Sequence, residues 1–329
     1  MIRVASFNVK NLSIATKDDA SKKPRDLDEM ARILRDCNSD IIVLQEVLSP
    51  RIIEGFSLGN NNSTLTRKIG PSWRGKWVNL HTSSKKYKYI GDDRNEGYAF
   101  LWNTRRVELK KTDGIEILPK KYSHNDANEL LRAPGLGRFI LKNRIRPVEI
   151  RVITAHIAFS NPKVKDEFDV PDIKEIQNRK REFDILSSRI YKNISDICKD
   201  PDEFNAIYTL ILGDYNLNLK ESGATSAIIQ SVNCYDRYGN RCYGIYDYDN
   251  TIGINVMKTV QSEPTTINKD CTGYASNYDH CTYNIELEKN GKIGRCYRKP
   301  VINDMEQEEI ENYRDTVSDH VPIVVEINC

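Results

Sequence analysis

Leu210-Ile211-Leu212-Gly213-Asp214-Tyr215-Asn216 is a short apolar run that stops on an acid and an amide. Bounded by polar residues, it reads as a strand whose end delivers Asp214 and Asn216. The same pattern recurs along the chain. Val4-Ala5-Ser6-Phe7-Asn8 ends on Asn8, Ile41-Ile42-Val43-Leu44-Gln45-Glu46 ends on Glu46, and Thr154-Ala155-His156 closes on His156. Asn277-Tyr278-Asp279-His280 opens a late strand, and Ser318-Asp319-His320-Val321-Pro322 opens the last.

Working outward, further short runs rich in Val, Ile and Tyr read as strands: Tyr98–Trp102, Arg138–Leu141, Val148–Ile157, Cys281–Leu287 and Val321–Ile327. Two helices are legible. Asp26–Asp36 places Leu27, Met30, Ile33 and Leu34 on one face, and Asp172–Ile197 carries apolar residues at near-helical spacing after Pro171. Helices separate some strands while others follow one another directly, which suggests two packed sheets with helices outside. Site residues come from both chain ends, so residues 1–329 are expected to form one domain. Residues 60–93 and the acidic 304–312 read as loop insertions.

The bulk numbers are compatible with this. A chain of 329 residues that is 39% apolar and 29% charged, with a net charge of +2, is globular and not a polycation, so any nucleic-acid contact must be local. No basic start leads into an apolar leader, and no apolar run approaches the roughly 20 residues of a spanning helix. The expectation is a cytoplasmic protein with no membrane association, acting as a monomer. Sequons at Asn11, Asn61, Asn62 and Asn193 then read as chance. The eight cysteines form no C-x-x-C pair, which disfavours structural zinc; the last five would suit a disulfide framework on export, and reduced thiols are expected in the cytosol.

Acids, amides and histidines at strand ends suit metal-assisted hydrolysis. Carboxylates hold a hard divalent cation, imidazoles move protons near neutral pH, and amides donate to phosphate oxygens. In this order they resemble the endonuclease/exonuclease/phosphatase superfamily, through ASFNVKNL, IIVLQEV, NEGYAFLWN, RAPGLGRF, TAHIAF, LILGDYNLN, NYDHCTYN and SDHVPIVVEI. The resemblance implies an α/β four-layered sandwich of two packed mixed β-sheets flanked by helices. Glu96, His156 and the Arg132-Ala133-Pro134 segment followed by Phe139 are most similar to the pancreatic-type deoxyribonuclease branch.

That resemblance implies two histidine–carboxylate pairs, His156 with Glu96 and His320 with Asp279, one acting as general base and the other as general acid in an order left open. Glu46 would be the principal Mg²⁺ ligand, with Asp319 and Asn8 close by; Mn²⁺ is expected to substitute, and Ca²⁺ is a further candidate. Asp214 and Asn216 would position the scissile phosphate, and Arg132 would contact it. His81, His124 and His280 match no catalytic position and read as surface or loop residues. The implied activity is a metal-dependent endonuclease acting on DNA. Alternatives are a phosphatase or lipid phosphodiesterase on the same core, and a non-catalytic binding protein.

The chain departs from that branch where the branch enters the minor groove, carrying Leu48 after the Gln-Glu motif and Arg94 before Glu96. Lys10 keeps a basic residue after Asn8. Arg67, Lys68, Arg74, Lys76, Lys85, Lys86, Lys88 and Arg94, interleaved with Trp73, Trp77, Tyr87 and Tyr89, offer a substitute that pairs cations with stacking rings.

Overall fold

A computed structural model of the chain describes residues 1–13, 24–54, 64–80, 96–111, 113–118, 130–142, 145, 147–158, 179, 182–183, 185–196, 206–218, 234–235, 241–242, 257–260 and 263–329. The strands are β1 (Ile2–Leu12), β2 (Ile41–Val47), β3 (Trp73–Asn79), β4 (Gly97–Asn103), β5 (Val107–Leu109), β6 (Ile115–Ile117), β7 (Gly135–Leu141), β8 (Val148–His156) and β9 (Ala206–Asp214). There follow the short β10 (Cys234–Tyr235) and β11 (Arg241–Cys242), then β12 (Met257–Val260), β13 (Asp279–Asn284), β14 (Ile293–Arg298) and β15 (Ile323–Ile327). Helices are α1 (Leu27–Asp36), α2 (Pro50–Glu54), α3 (Leu65–Ile69), α4 (Tyr191–Asp196), α5 (Ile285–Lys289) and α6 (Gln307–Thr316).

One sheet runs β14-β15-β1-β2-β4-β3; the other runs β12-β13-β9-β8-β7-β5, with β6 also on β7. In both, the central pair is parallel (β1 with β2, β8 with β9) and the other neighbours are antiparallel. The carboxyl ends of the two parallel pairs meet at one rim.

Alternation within strands sorts the side chains into layers. Val4, Val43, Phe100, Val152, Leu212 and Cys281 meet between the sheets. Phe7, Leu44 and Val324 face outward under Met30 and Leu34 of α1 and Ile310 and Tyr313 of α6. Ile153 and Ile211 lie under Leu186, Ile190 and Ile194. Helix, sheet, sheet, helix is the four-layer arrangement expected of the sequence. On the outer face of β8, the buried Glu149 accepts from Arg138 (2.6 Å) and Arg151 (3.1 Å). Burial works against its charge, but the two guanidiniums hold the carboxyl below its usual range.

Several expectations need correction. Within 60–93, the described residues 64–80 include α3 and β3, an edge strand paired along its length with β4, and are not a loop. The acidic 304–312 enters α6, capped by a Glu306–Glu309 capping box. The strand from Cys281 stops at Asn284, whose side chain caps α5. The last strand begins at Ile323 rather than Val321. Of the long helix over Asp172–Ile197, residues 172–178 lie outside the described residues; a π-helical turn, Ile185–Ile190, leads into α4.

Candidate active site

The strand faces that build the inter-sheet core carry the site one step further. Val4, Ser6 and Asn8 share a face of β1; Val152, Thr154 and His156 share one of β8; Leu210, Leu212 and Asp214 share one of β9. Cys281 and Asp279 do so on β13, and Glu96 continues the face of Tyr98 and Phe100. Towards the rim the apolar layers give way to polar ones. In the first, Gln45 donates to Ser6 Oγ (3.0 Å) and Thr154 Oγ1 (2.8 Å).

Glu46 would point outward by simple alternation. Its positive φ of 59° falls in a register irregularity between Leu44 and Val47, which shifts the strand phase by one residue. Both oxygens of Glu46 are engaged, by Asn8 Nδ2 at 2.9 Å and Asn11 N at 3.0 Å. Asn8 Nδ2 also donates to Asp214 at 3.0 Å, while its oxygen accepts from Lys10 N at 2.9 Å. The Asn8 amide therefore holds two carboxylates apart and turns its own oxygen towards the β1 bulge at Lys10 and Asn11.

The Gly-Asp-Tyr-Asn turn has a steric origin. Gly213 has φ 156°, and a Cβ there would lie 1.8 Å from the Ala155 carbonyl oxygen on parallel β8. Beyond it, Asn216 (φ 50°) donates its backbone N–H to Asp214 Oδ1 at 2.9 Å and its side chain to Ile157 O at 2.8 Å.

Two imidazoles face Asp214. His156 Nδ1 is 3.0 Å from Glu96 Oε1, and its Nε2 is 3.7 Å from Asp214 Oδ2 and 3.7 Å from Glu46 Oε1. His320 Nδ1 is 2.7 Å from Asp279 Oδ2, and its Nε2 is 3.7 Å from Asp214 Oδ2. Burial alone would lower the His320 pKa. The charges of Asp279, Asp214 and Asp319, with the Asp279 hydrogen bond, outweigh it and push the pKa up to about 10. Arg132 lies 3.1 Å from Glu96 Oε2, so the site holds a chain Arg132–Glu96–His156.

Asp319 points its carboxylate at Lys10 Nζ, 3.1 Å away. Asn8, Glu46, Glu96, Arg132, His156, Asp214, Asn216, Asp279, Asp319, His320 and Lys10 are thus brought to one rim. Lys85, Lys86, Lys88 and Arg94 lie outside the described residues, as do His81 and His124.

Residues 5–243 match the model of the Endonuclease/Exonuclease/phosphatase family. The chain belongs to that family. No curated protein matches the sequence. Among solved structures, the chain is similar to the endonuclease/exonuclease/phosphatase from Bacteroides vulgatus at 14% identity and TM-score 0.53, each chain covered over 99%. It is similar to an endonuclease/exonuclease/phosphatase family protein from Leptotrichia buccalis C-1013-b at 16% identity and TM-score 0.50, over 100% of both chains. It is also similar to D. rerio TDP2 complexed with single strand DNA product, at 14% identity and TM-score 0.51, over 100% of this chain and 99% of that one. At these identities the likeness shows the fold. Members of the endonuclease/exonuclease/phosphatase family are typically hydrolytic phosphoesterases and generally use divalent metal ions.

The donors fit a hard cation. Glu46 and Asp319 are partly exposed carboxylates, and the Lys10 ammonium already stands as a positive charge on Asp319. Among the described residues no group of three or more His, Cys, Asp or Glu side chains is placed to hold a metal ion by itself.

Several supporting residues were not singled out from sequence. Ser318 Oγ donates to Asn8 O (2.7 Å), and Thr265 Oγ1 accepts from Asp279 N (3.1 Å). Arg25 donates to the carbonyls of Val9 and Val317, tying the β1 bulge to the segment before Asp319. Ser318 and Gln45 lie inside the quoted motifs; Arg25 and Thr265 carry no local signal. His280 is a correction: it is fully buried, with Nε2 2.7 Å from Leu217 O and its ring against Tyr215. Trp73 is buried and Trp77 donates to Val47 O, so these rings serve the fold, while Arg67, Arg74 and Lys76 stay exposed. No described helix is long and apolar enough to cross a membrane.

Proposed function

We propose that this chain is a divalent-metal-dependent phosphodiesterase and, more specifically, an endonuclease of the pancreatic type that hydrolyses DNA. The observation that carries the reading is the convergence of two histidine–carboxylate pairs on Asp214, with each Nε2 at 3.7 Å from Oδ2. Two imidazoles facing one centre suit a displacement in which a proton leaves the attacking water and another reaches the departing oxygen.

Glu96 and Asp279 bind the Nδ1 atoms and so orient the rings, turning each Nε2 towards Asp214 for proton transfer. One Nε2 takes the water proton and the other delivers a proton to the leaving oxygen. Asp214, held by Asn8, and Asn216 orient the scissile phosphate, and Arg132 donates to its oxygens. Glu46 and Asp319 would hold Mg²⁺, which when bound supplies Lewis-acid neutralisation of the phosphate charge; Mn²⁺ would substitute and Ca²⁺ is a further candidate. Lys10, Lys85, Lys86, Lys88 and Arg94, with the exposed Arg67, Arg74 and Lys76, would grip the DNA backbone. The fold likeness to D. rerio TDP2 complexed with single strand DNA product makes nucleic acid the first substrate class to test.

The test is nicking of a supercoiled plasmid by purified protein with Mg²⁺, with and without EDTA, beside a phosphomonoester and a lipid phosphodiester. Metal-dependent nicking is the expected result. Turnover of either other substrate with an intact plasmid would overturn the DNA assignment while leaving the phosphoesterase reading in place.

A further inference from the structure

Two thiols lie between the sheets, just beneath the catalytic rim. Cys281 lies on β13, opposite Leu212 of β9, and its side chain is fully buried on the inner face of one sheet. Cys296 lies on edge strand β14 of the other sheet, opposite Val325, just past a register irregularity after Ile293. Leu212, Val325 and both cysteines belong to the same inter-sheet cluster, so the two thiols face each other across the sandwich. Cys296 lies near enough to add to the burial that raises the Cys281 pKa, and neither thiol is in a disulfide.

We propose that Cys281 and Cys296 form a dithiol that closes to a disulfide under oxidising conditions and staples the two sheets together. No backbone segment has to cross the sandwich for this, because both side chains already pack in the cluster between the sheets. Cys296 is partly exposed and Cys281 is buried, which sets the order of events. The exposed Cys296 meets the reagent first, while burial raises the Cys281 pKa and keeps that thiol protonated until the second step. Its thiolate attacks a low-molecular-weight disulfide such as oxidised glutathione; one new S–S bond forms, the reagent's S–S bond breaks, and one thiolate leaves. Cys281 then loses its proton and attacks the Cys296 sulfur, releasing the second thiolate. In sum, two protein thiols are oxidised by two electrons and one reagent disulfide is reduced to two thiols.

The staple lies beside the catalytic rim. Asp279 is two residues from Cys281 on the same strand face, and β14 pairs with β15, which follows His320. The crosslink therefore braces a second cross-sheet contact, the Asp279–His320 pair.

The experiment uses the full chain, reduced, freed of reductant and treated with oxidised glutathione without denaturant. Expected is a non-reduced peptide pair joining Cys281 to Cys296, and an unfolding midpoint raised by about 4 °C, the shift for closing a loop of about 15 residues in a chain of this size. Dithiothreitol should reverse both, and Cys296→Ser, a change at the partly exposed partner, should show neither. Cys281→Ala should stop at a glutathione adduct on Cys296. A wild-type protein that also stops at that adduct, or whose two thiols stay open to alkylation, would overturn the proposal. So would a linked pair with a lowered midpoint.

Discussion

His320, on the segment entering β15 of one sheet, lies 2.7 Å from the carboxylate of Asp279, which opens β13 of the other. The pair is therefore a cross-sheet contact as well as the proposed proton-transfer unit, and its protonation is linked to folding. The folded pKa of His320 is pushed up to about 10 from an ordinary 6.5. The folded state holds this proton more tightly than the unfolded chain, so the stabilisation is fully present below pH 6.5 and is lost as pH rises through 10. Thermal unfolding in EDTA should show the midpoint falling across that window, and falling less in His320→Gln. Parallel profiles for the two proteins would contradict the linkage.

Glu46→Ala should keep its circular dichroism spectrum and lose nearly all hydrolysis, as should wild type in EDTA. Its two oxygens are oriented by Asn8 and Asn11 at the surface of the rim, so deletion removes a charge without opening the core. Mn²⁺ titration by calorimetry should show weakened binding. Wild-type turnover in this variant would remove Glu46 from the metal site.

His156→Ala and His320→Ala should each lower kcat by roughly 10²–10⁴-fold with little change in KM. In the proposed mechanism the two serve one coupled displacement, so the double variant should lose less than the product of the single losses. Single-turnover rates on a defined substrate decide this, and an undiminished rate in either single variant would count against a two-histidine mechanism.

Gly213→Ala should destabilise the protein by about 3 kcal/mol in urea unfolding, because the new Cβ collides with the β8 backbone where β8 and β9 lie parallel. A change of under about 0.5 kcal/mol would show that the strands separate easily there.

Replacing Lys85, Lys86 and Lys88 with Ala should flatten the dependence of DNA affinity on salt. Each phosphate that these side chains no longer neutralise reduces the slope of log K against log salt by roughly 0.7–0.9. An unchanged slope would place the DNA on another face.

Much of the candidate site was legible because it obeys local rules. Asp214 and Asn216 sit after an apolar run, and period-2 alternation continues from Leu212 to Asp214 and from Thr154 to His156. The misread segments break local rules for tertiary reasons. β3 carries Arg74 and Lys76, which look like a charged loop, yet Trp73 packs in the outer core and the strand completes a sheet edge. α6 looks acidic and solvated, but Ile310 and Tyr313, three apart, pin it to that sheet. His280 has no local mark of a core residue, and only the fold buries it against Tyr215 and Leu217.

By itself the sequence determined the strands that carry the site, the order of the motifs and the kinds of side chain delivered at strand ends, because propensity and alternation act over a few residues. Only the tertiary structure decided that Asn8 would bridge Glu46 and Asp214, that Arg25 would tie Val9 to Val317, and that Cys281 and Cys296 would pack in one inter-sheet cluster. Those pairings join residues far apart in the chain or on opposite sheets. They follow from sheet pairing, the left-handed bulge at Glu46 and the close approach at Gly213, where packing of the whole domain overrides local preference.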